Sequence, residues 1–208
     1  MHKLLAGYKS FREHYFAEHR EMLQRLMAGA QAPRALMIAC SDSRIDPALK
    51  FGADPGDLFM VRNVANLVPP YHPDGDFHGT SAALEFGVKV LRVKNIIVMG
   101  HAKCGGIGAL IRHEEAEATD FVAAWMKMVA AARDRALAVA GPDAPEDEIQ
   151  RLVEQEAVKD SLANLMTFPW VKERVMAGET KLHGWYFDLA TGTLHVMDSH
   201  GIFKPADA

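Results

Sequence analysis

Two short runs of wholly apolar residues, Ala35-Leu36-Met37-Ile38-Ala39 and Ile96-Ile97-Val98-Met99, each break off into a polar cluster. The clusters are Cys40-Ser41-Asp42-Ser43-Arg44 and His101-Ala102-Lys103-Cys104-Gly105-Gly106. A strand with one wet face alternates apolar and polar residues, so a run without a polar member suits a strand buried on both faces, as in a parallel sheet covered by helices. Between the runs lie a candidate strand, Leu58 to Val64, and a helical stripe of Ala83, Leu84, Phe86, Gly87, Val90 and Leu91 that Thr80 is placed to cap. Strand, helix and strand in this order imply a crossover unit and a parallel sheet. In such sheets ligands gather beyond the carboxyl ends of the strands, which is where both clusters begin.

The remaining elements fit around that unit. Tyr8 to Met27 reads as an amphipathic helix ending near Gly29, expected to pack on another surface. Asp120 to Val139 and Glu146 to Lys159 read as helices separated by Gly141-Pro142-Asp143, and Leu182 to Leu189 and Thr193 to Met197 as a strand pair around Ala190-Thr191-Gly192. The expected fold is therefore α/β: a central, mostly parallel sheet flanked by helices, with an N-terminal helical arm (residues 1–30) and a C-terminal strand pair. At 208 residues a single domain, 1–208, is expected.

Charge and composition narrow the function classes. A formal charge of -4, with no Lys/Arg run, argues against nucleic acid as a partner. Charged residues interrupt Met1 to Phe16, unlike a secretory signal, and no stretch is apolar for long enough to span a membrane. Two cysteines in a chain of this size do not make a disulfide framework, so thiolate chemistry in a reducing compartment, by default the cytoplasm, is expected.

Both cysteines fall within the polar clusters, and this gives them their chemical meaning. Zinc takes thiolate sulfur and imidazole nitrogen in tetrahedral geometry, and three protein ligands leave a fourth position open. Cys40, His101 and Cys104 supply three such ligands, with His101 and Cys104 close enough in sequence for a chelate on one turn. Two thiolates cancel the formal charge of Zn²⁺, so such a metal acidifies water less than an all-histidine site would, and neighbouring groups must help. If the chain stays extended after Cys40, then Cys40, Asp42 and Arg44 share one face. Arg44 can then hold Asp42 ionised and oriented toward a water on the metal; released, Asp42 could itself become a fourth ligand. Gly105 and Gly106 allow close backbone approach. Two other readings stand beside this one: cysteines packed as small core residues, and a redox pair. Gly106-Ile107-Gly108 lacks the third glycine of a dinucleotide fingerprint and reads as a helix opening. His113-Glu114-Glu115 lacks the second histidine of a zincin. His14, His19, His195 and His200 read as surface or hydrogen-bonded residues.

Together, Cys40-Ser-Asp-Ser-Arg44 and His101-x-x-Cys104-Gly-Gly resemble the zinc motifs of β-class carbonic anhydrases. The resemblance extends through Phe59 to Asn66, Gly79 to Ala83 and Glu156 to Pro169. It implies one zinc per subunit on Cys40, His101 and Cys104, Asp42 and Arg44 as the catalytic pair, and reversible hydration of CO₂ to bicarbonate by zinc-bound hydroxide. It implies a homodimer or dimer of dimers with the active site at a subunit interface and the N-terminal arm on the partner. Gln31 resembles the glutamine that reaches substrate from the other subunit; Phe59 and Val64 resemble the apolar walls of the substrate pocket, which Gly105 also borders. Phe86 stands where plant-like members often carry tyrosine. Met37 and Phe187 replace the tryptophan and tyrosine of members with a non-catalytic bicarbonate pocket, leaving only Arg62, so no such pocket is expected. The alternatives are a CS₂ or COS hydrolase of the same fold and a non-catalytic structural zinc module.

Overall fold

The computed structural model describes residues 1–114 and 120–206. One sheet contains β1 (Ala35–Cys40), β2 (Leu58–Asn63), β3 (Asn95–His101), β4 (Lys181–Phe187), β5 (Leu194–Met197) and β6 (Phe203–Pro205), in the order β2-β1-β3-β4-β5-β6. The first four strands pair in parallel, and β4–β5 and β5–β6 pair antiparallel. The expected mostly parallel sheet and C-terminal strand pair are present, with β6 as an additional edge strand.

The apolar runs form strands buried on both faces. Leu36, Ile38, Ile96 and Val98 pack with Leu84, Val88, Val158, Leu162 and Leu165. The alternating residues Met37, Ala39, Ile97 and Met99 pack on the opposite side with Ile45 and Phe187. Each buried Leu or Ile contributes about 1.5–3 kcal/mol, so a slip in register would be costly. Ala39 thus stands opposite Met99. From β1 the chain passes to β2 on one side, then returns across β1 to β3 on the other, and the reversal opens a crevice at the carboxyl ends of β1 and β3.

Helices complete the layers. At the N-terminus, α1 (His2–Ser10), a π-helical turn (Phe11–Tyr15), α2 (Phe16–Glu18) and α3 (Arg20–Ala28) make an arm that starts earlier than the apolar periodicity suggests and buries none of its residues. A short α4 (Pro47–Phe51) begins at Asp46, whose carboxylate accepts from Leu49 N. α5 (Gly79–Glu85) follows β2, and its N-cap is His78, not Thr80. The Thr80 hydroxyl instead accepts from Asn63 Nδ2 at 3.1 Å, which ties the helix start to the end of β2. After α6 (Gly105–Ile111), the helix expected over 120–139 is broken into α7 (Val122–Met126), a 3₁₀ turn (Lys127–Val129) and α8 (Ala130–Ala140).

The long α9 (Glu146–Leu165) starts with three acidic residues, which favour a helix N-terminus, and continues past Lys159. Its continuation keeps Ser161 buried, where the hydroxyl accepts from Val68 N. α10 (Pro169–Met176) has no counterpart in the periodicity reading, although Pro169 at its start is a recognised helix opener.

Candidate metal centre

Cys40 is the last residue of β1 and His101 the last of β3, so neighbouring strands deliver a sulfur and an imidazole to the same crevice. Gly100 is needed just before His101: a Cβ there would lie 2.8 Å from Val158 Cγ2, so any larger residue would push β3 away from α9. Cys104 precedes α6. All three ligand residues are buried, and their ligand atoms lie within 4.8 Å of one another, with the two sulfurs 3.9 Å apart.

His101 Nδ1 donates to the Ala102 carbonyl at 2.9 Å, which leaves the lone pair on Nε2. That Nε2 is buried without a hydrogen-bond partner, on a residue with 0% exposure. An orphaned imidazole nitrogen facing two thiols is costly in an apo protein and is explained by a cation. Zinc suits this soft, three-member donor set. The hydrogen bond from Cys104 pulls the Cys40 thiol down against its burial, with His101 assisting. Cys104, as the donor and itself buried, is pushed up. His101 is raised: burial lowers it, but Cys40 outweighs that effect.

After Cys40 the chain is not extended, as the shared-face argument assumed; it turns. Asp42 Oδ1 accepts from Arg44 N at 2.8 Å, and Ile45 N donates to the Asp42 carbonyl. This turn still places Arg44 on Asp42, with Nε donating to Oδ1 at 3.0 Å and Nη2 to Oδ2 at 2.6 Å. Those bonds, with His101 adding a smaller effect, hold the Asp42 carboxyl well below the usual carboxylate range. Arg44 Nη2 also donates to the Lys103 carbonyl at 2.8 Å, joining the two sequence clusters. Among the described residues, the group able to hold a metal is Cys40, His101 and Cys104; Asp42 stands outside it, clamped by Arg44.

Sequence reasoning singled out Arg62 only as the remnant of an anion pocket. In the folded chain it acts as a clamp, its guanidinium donating to the carbonyls of Cys40 (2.7 Å), Asp42 (2.9 Å) and Ile45. One side chain from β2 thus ties the whole loop together. Glu154 was also missed. At 3% exposure it accepts from Cys104 N at 2.8 Å, Gln150 Nε2 at 2.9 Å and Tyr186 Oη at 2.8 Å. Burial raises its carboxyl despite these donors. The signal was available in α9, where Gln150, Glu154 and Ser161 share the buried face with Val153, Ala157 and Leu165.

The residues expected around the substrate fall into separate groups within the chain. Val64 lies over α6, 2.9 Å from where a Cβ on Gly106 would sit, and its carbonyl accepts from Trp125 Nε1. Ala65 and Asn66 follow it with φ of 62° and 51°, in a turn held by Asn63 Oδ1 accepting from Leu67 N. Gly105 opens α6 with no heavy atom within 4 Å of a Cβ placed on it. Phe59 and Phe86 stack on each other at 5.8 Å. Gln31 is exposed between α3 and β1. A groove of about 860 Å³ opens beside Val64, lined partly by Met60, Pro69, Phe77, Phe121 and Trp125.

Residues 35–194 match the family described as carbonic anhydrase. The β carbonic anhydrase 6, mitochondrial, of Arabidopsis thaliana is 42% identical over 172 residues, covering 82% of this chain and 58% of that protein. The chain thus spans little more than half the length of this relative and of the chloroplastic β carbonic anhydrase 5 of the same plant. Among solved structures, the β-carbonic anhydrase CcaA superposes with a TM-score of 0.90 at 33% identity and 99% coverage of both chains. A tetrameric β-carbonic anhydrase of Sordaria macrospora gives 0.82 at 26% identity, covering 98% of each chain.

Proposed function

Because the chain belongs to the carbonic anhydrase family, and to its β class, we propose that it catalyses the reversible hydration of carbon dioxide to bicarbonate and a proton. Cys40, His101 and Cys104 would hold one zinc ion per subunit. A bound zinc supplies Lewis acidity, making hydroxide available from water nearer neutral pH.

The protein's own residues orient and enclose the reaction. Asp42 Oδ1 already accepts two hydrogen bonds from Arg44, while Oδ2 accepts one, so Oδ2 retains the lone pair that can receive a hydrogen bond from the attacking water. Held below the usual carboxylate range, Asp42 accepts hydrogen bonds and does not store the proton. Arg44, anchored on Lys103, keeps Asp42 turned toward the site. Val64 beside Gly106 and the Phe59–Phe86 stack offer carbon dioxide apolar walls, and Gln31 reaches it from a neighbouring subunit.

That division of labour makes a homodimer, or a dimer of dimers, the working assembly. The arm supports it: Leu4, Leu5, Tyr8, Phe11 and Met27 are exposed, and Phe77 and Phe121 stand uncovered at the groove beside Val64. A second copy of the chain would cover such surface. The Sordaria relative is described as tetrameric. No helix among the described residues is long and apolar enough to cross a membrane. Two free cysteines suit a reducing compartment, and the cytoplasm is our reading; the two Arabidopsis relatives compared above are named mitochondrial and chloroplastic.

The single observation that carries the proposal is the buried, unpartnered His101 Nε2 facing two sulfurs, beside an Asp42–Arg44 pair that bridges both clusters. Stopped-flow CO₂ hydration with metal analysis tests it. Stoichiometric zinc with turnover is expected; zinc-loaded protein without turnover refutes the activity.

A further inference from the structure

We propose that Glu154 is a positioning residue of the metal centre, fixing the direction in which Cys104 presents its sulfur to the ion; this rests on the zinc reading above. Glu154 lies on α9, outside both polar clusters. A buried carboxylate is expensive to keep, and among the described residues no lysine or arginine forms an ion pair with it. Its compensation comes from three donors, one of which is the backbone N–H of a ligand residue.

Cys104 is pinned on both sides of its Cα. Glu154 Oε1 accepts from its N–H at 2.8 Å, and Gln150 Nε2, one turn earlier on α9, donates to its carbonyl at 3.1 Å. With both peptide planes held, the backbone angles at Cys104 (φ -64°, ψ 122°) are set, and so is the direction of its Cα–Cβ bond. Only the χ1 rotation then remains to place the sulfur. The restraint is needed because Lys103, immediately before, sits at φ 58°, in the left-handed region that non-glycine residues avoid. Arg44 holds the Lys103 carbonyl from the other side of the turn. Tyr186 Oη, bonded to Glu154 Oε2, fixes the rotation of the carboxylate itself.

The test uses full-length zinc-loaded protein carrying Glu154→Leu, Glu154→Gln, Gln150→Leu or Tyr186→Phe, with Leu165→Ala as a core-destabilised control remote from Cys104. Chelator competition reads zinc affinity, and cobalt(II) substitution reads the thiolate-to-metal absorption bands. Glu154→Leu should weaken zinc binding about 10–100-fold and shift the cobalt bands. Glu154→Gln should recover most of both, because its carbonyl can accept from Cys104 and Gln150 while its amide donates to the Tyr186 hydroxyl. Gln150→Leu and Tyr186→Phe should give smaller losses in the same direction. Leu165→Ala should melt earlier with unchanged cobalt bands. Wild-type affinity and bands in Glu154→Leu overturn the proposal, as does Leu165→Ala reproducing both changes. Should Glu154→Leu fail to fold, unchanged values in both Gln150→Leu and Tyr186→Phe overturn it equally. Wild-type protein that binds no stoichiometric zinc sinks the metal reading instead, a separate result.

Discussion

Replacing Arg62 with methionine keeps much of the side-chain length and removes every donor. Three carbonyls, those of Cys40, Asp42 and Ile45, then lose the guanidinium that gathers them. A hydrogen bond contributes a net ~1 kcal/mol, and more where the donor is charged, but the half-buried site lets water recover part of the loss; the expected destabilisation is ~3 kcal/mol. For a domain of this size that corresponds to a fall in melting temperature of ~6–12 °C, measured by thermal unfolding of zinc-loaded protein at fixed concentration. Because the same carbonyls frame Asp42 and Arg44, kcat/KM should fall about 10–100-fold through misplacement of that pair. Arg62→Lys should fall between, since one ammonium cannot serve three carbonyls in fork geometry. A methionine variant that melts within ~2 °C of wild type and turns over normally would show that the loop holds its shape without Arg62.

Asp42→Asn should retain zinc and lose activity by about 10²-fold or more, as followed by stopped-flow hydration; retained turnover removes Asp42 from the mechanism. Since Arg44 lowers the Asp42 pKa in the folded state, the stability from this pair is present above the unfolded value of about 3.9 and disappears as pH falls through the lower folded one. The melting temperature of zinc-free wild type should therefore drop more steeply than that of zinc-free Asp42→Asn between about pH 4 and 2; parallel curves contradict the assigned shift. With its sulfurs 3.9 Å apart, zinc-free protein treated with a thiol oxidant should lose both titratable thiols of its own chain as an intramolecular disulfide, and zinc should protect them; equal loss with zinc bound argues against thiolate ligation. Bicarbonate should inhibit only as a product, since Met37 and Phe187 stand where the resemblance puts the pocket's tryptophan and tyrosine, and Arg62 is engaged with the loop; cooperative inhibition through a remote site would contradict this.

The ligand set was legible in the sequence because Cys40, His101 and Cys104 end or follow strands whose unbroken apolar character fixes both their burial and their direction. The Asp42–Arg44 pair was legible too, but for an incomplete reason: an Asp-centred turn brings them together, not an extended segment. Thr80 was misassigned as a cap because a hydroxyl at a helix start has two possible uses, and Asn63 claims it. Segment ends misled most where tertiary contacts extend or break an element, as in the continuation of α9 under Ser161 and the division of the 120–139 helix.

What the amino-acid order alone determined is local: which segments must be buried as parallel strands, and which donor atoms lie at their ends. Tertiary structure decided what surrounds those atoms. Arg62, Glu154, Gln150 and Tyr186 stand far from the metal motifs in sequence, and nothing periodic marks an arginine as a clamp for three carbonyls or a glutamate as the acceptor for one cysteine's N–H. Such roles depend on distance and angle between groups on different elements. Those quantities come into existence only when the sheet is assembled and α9 is laid across it.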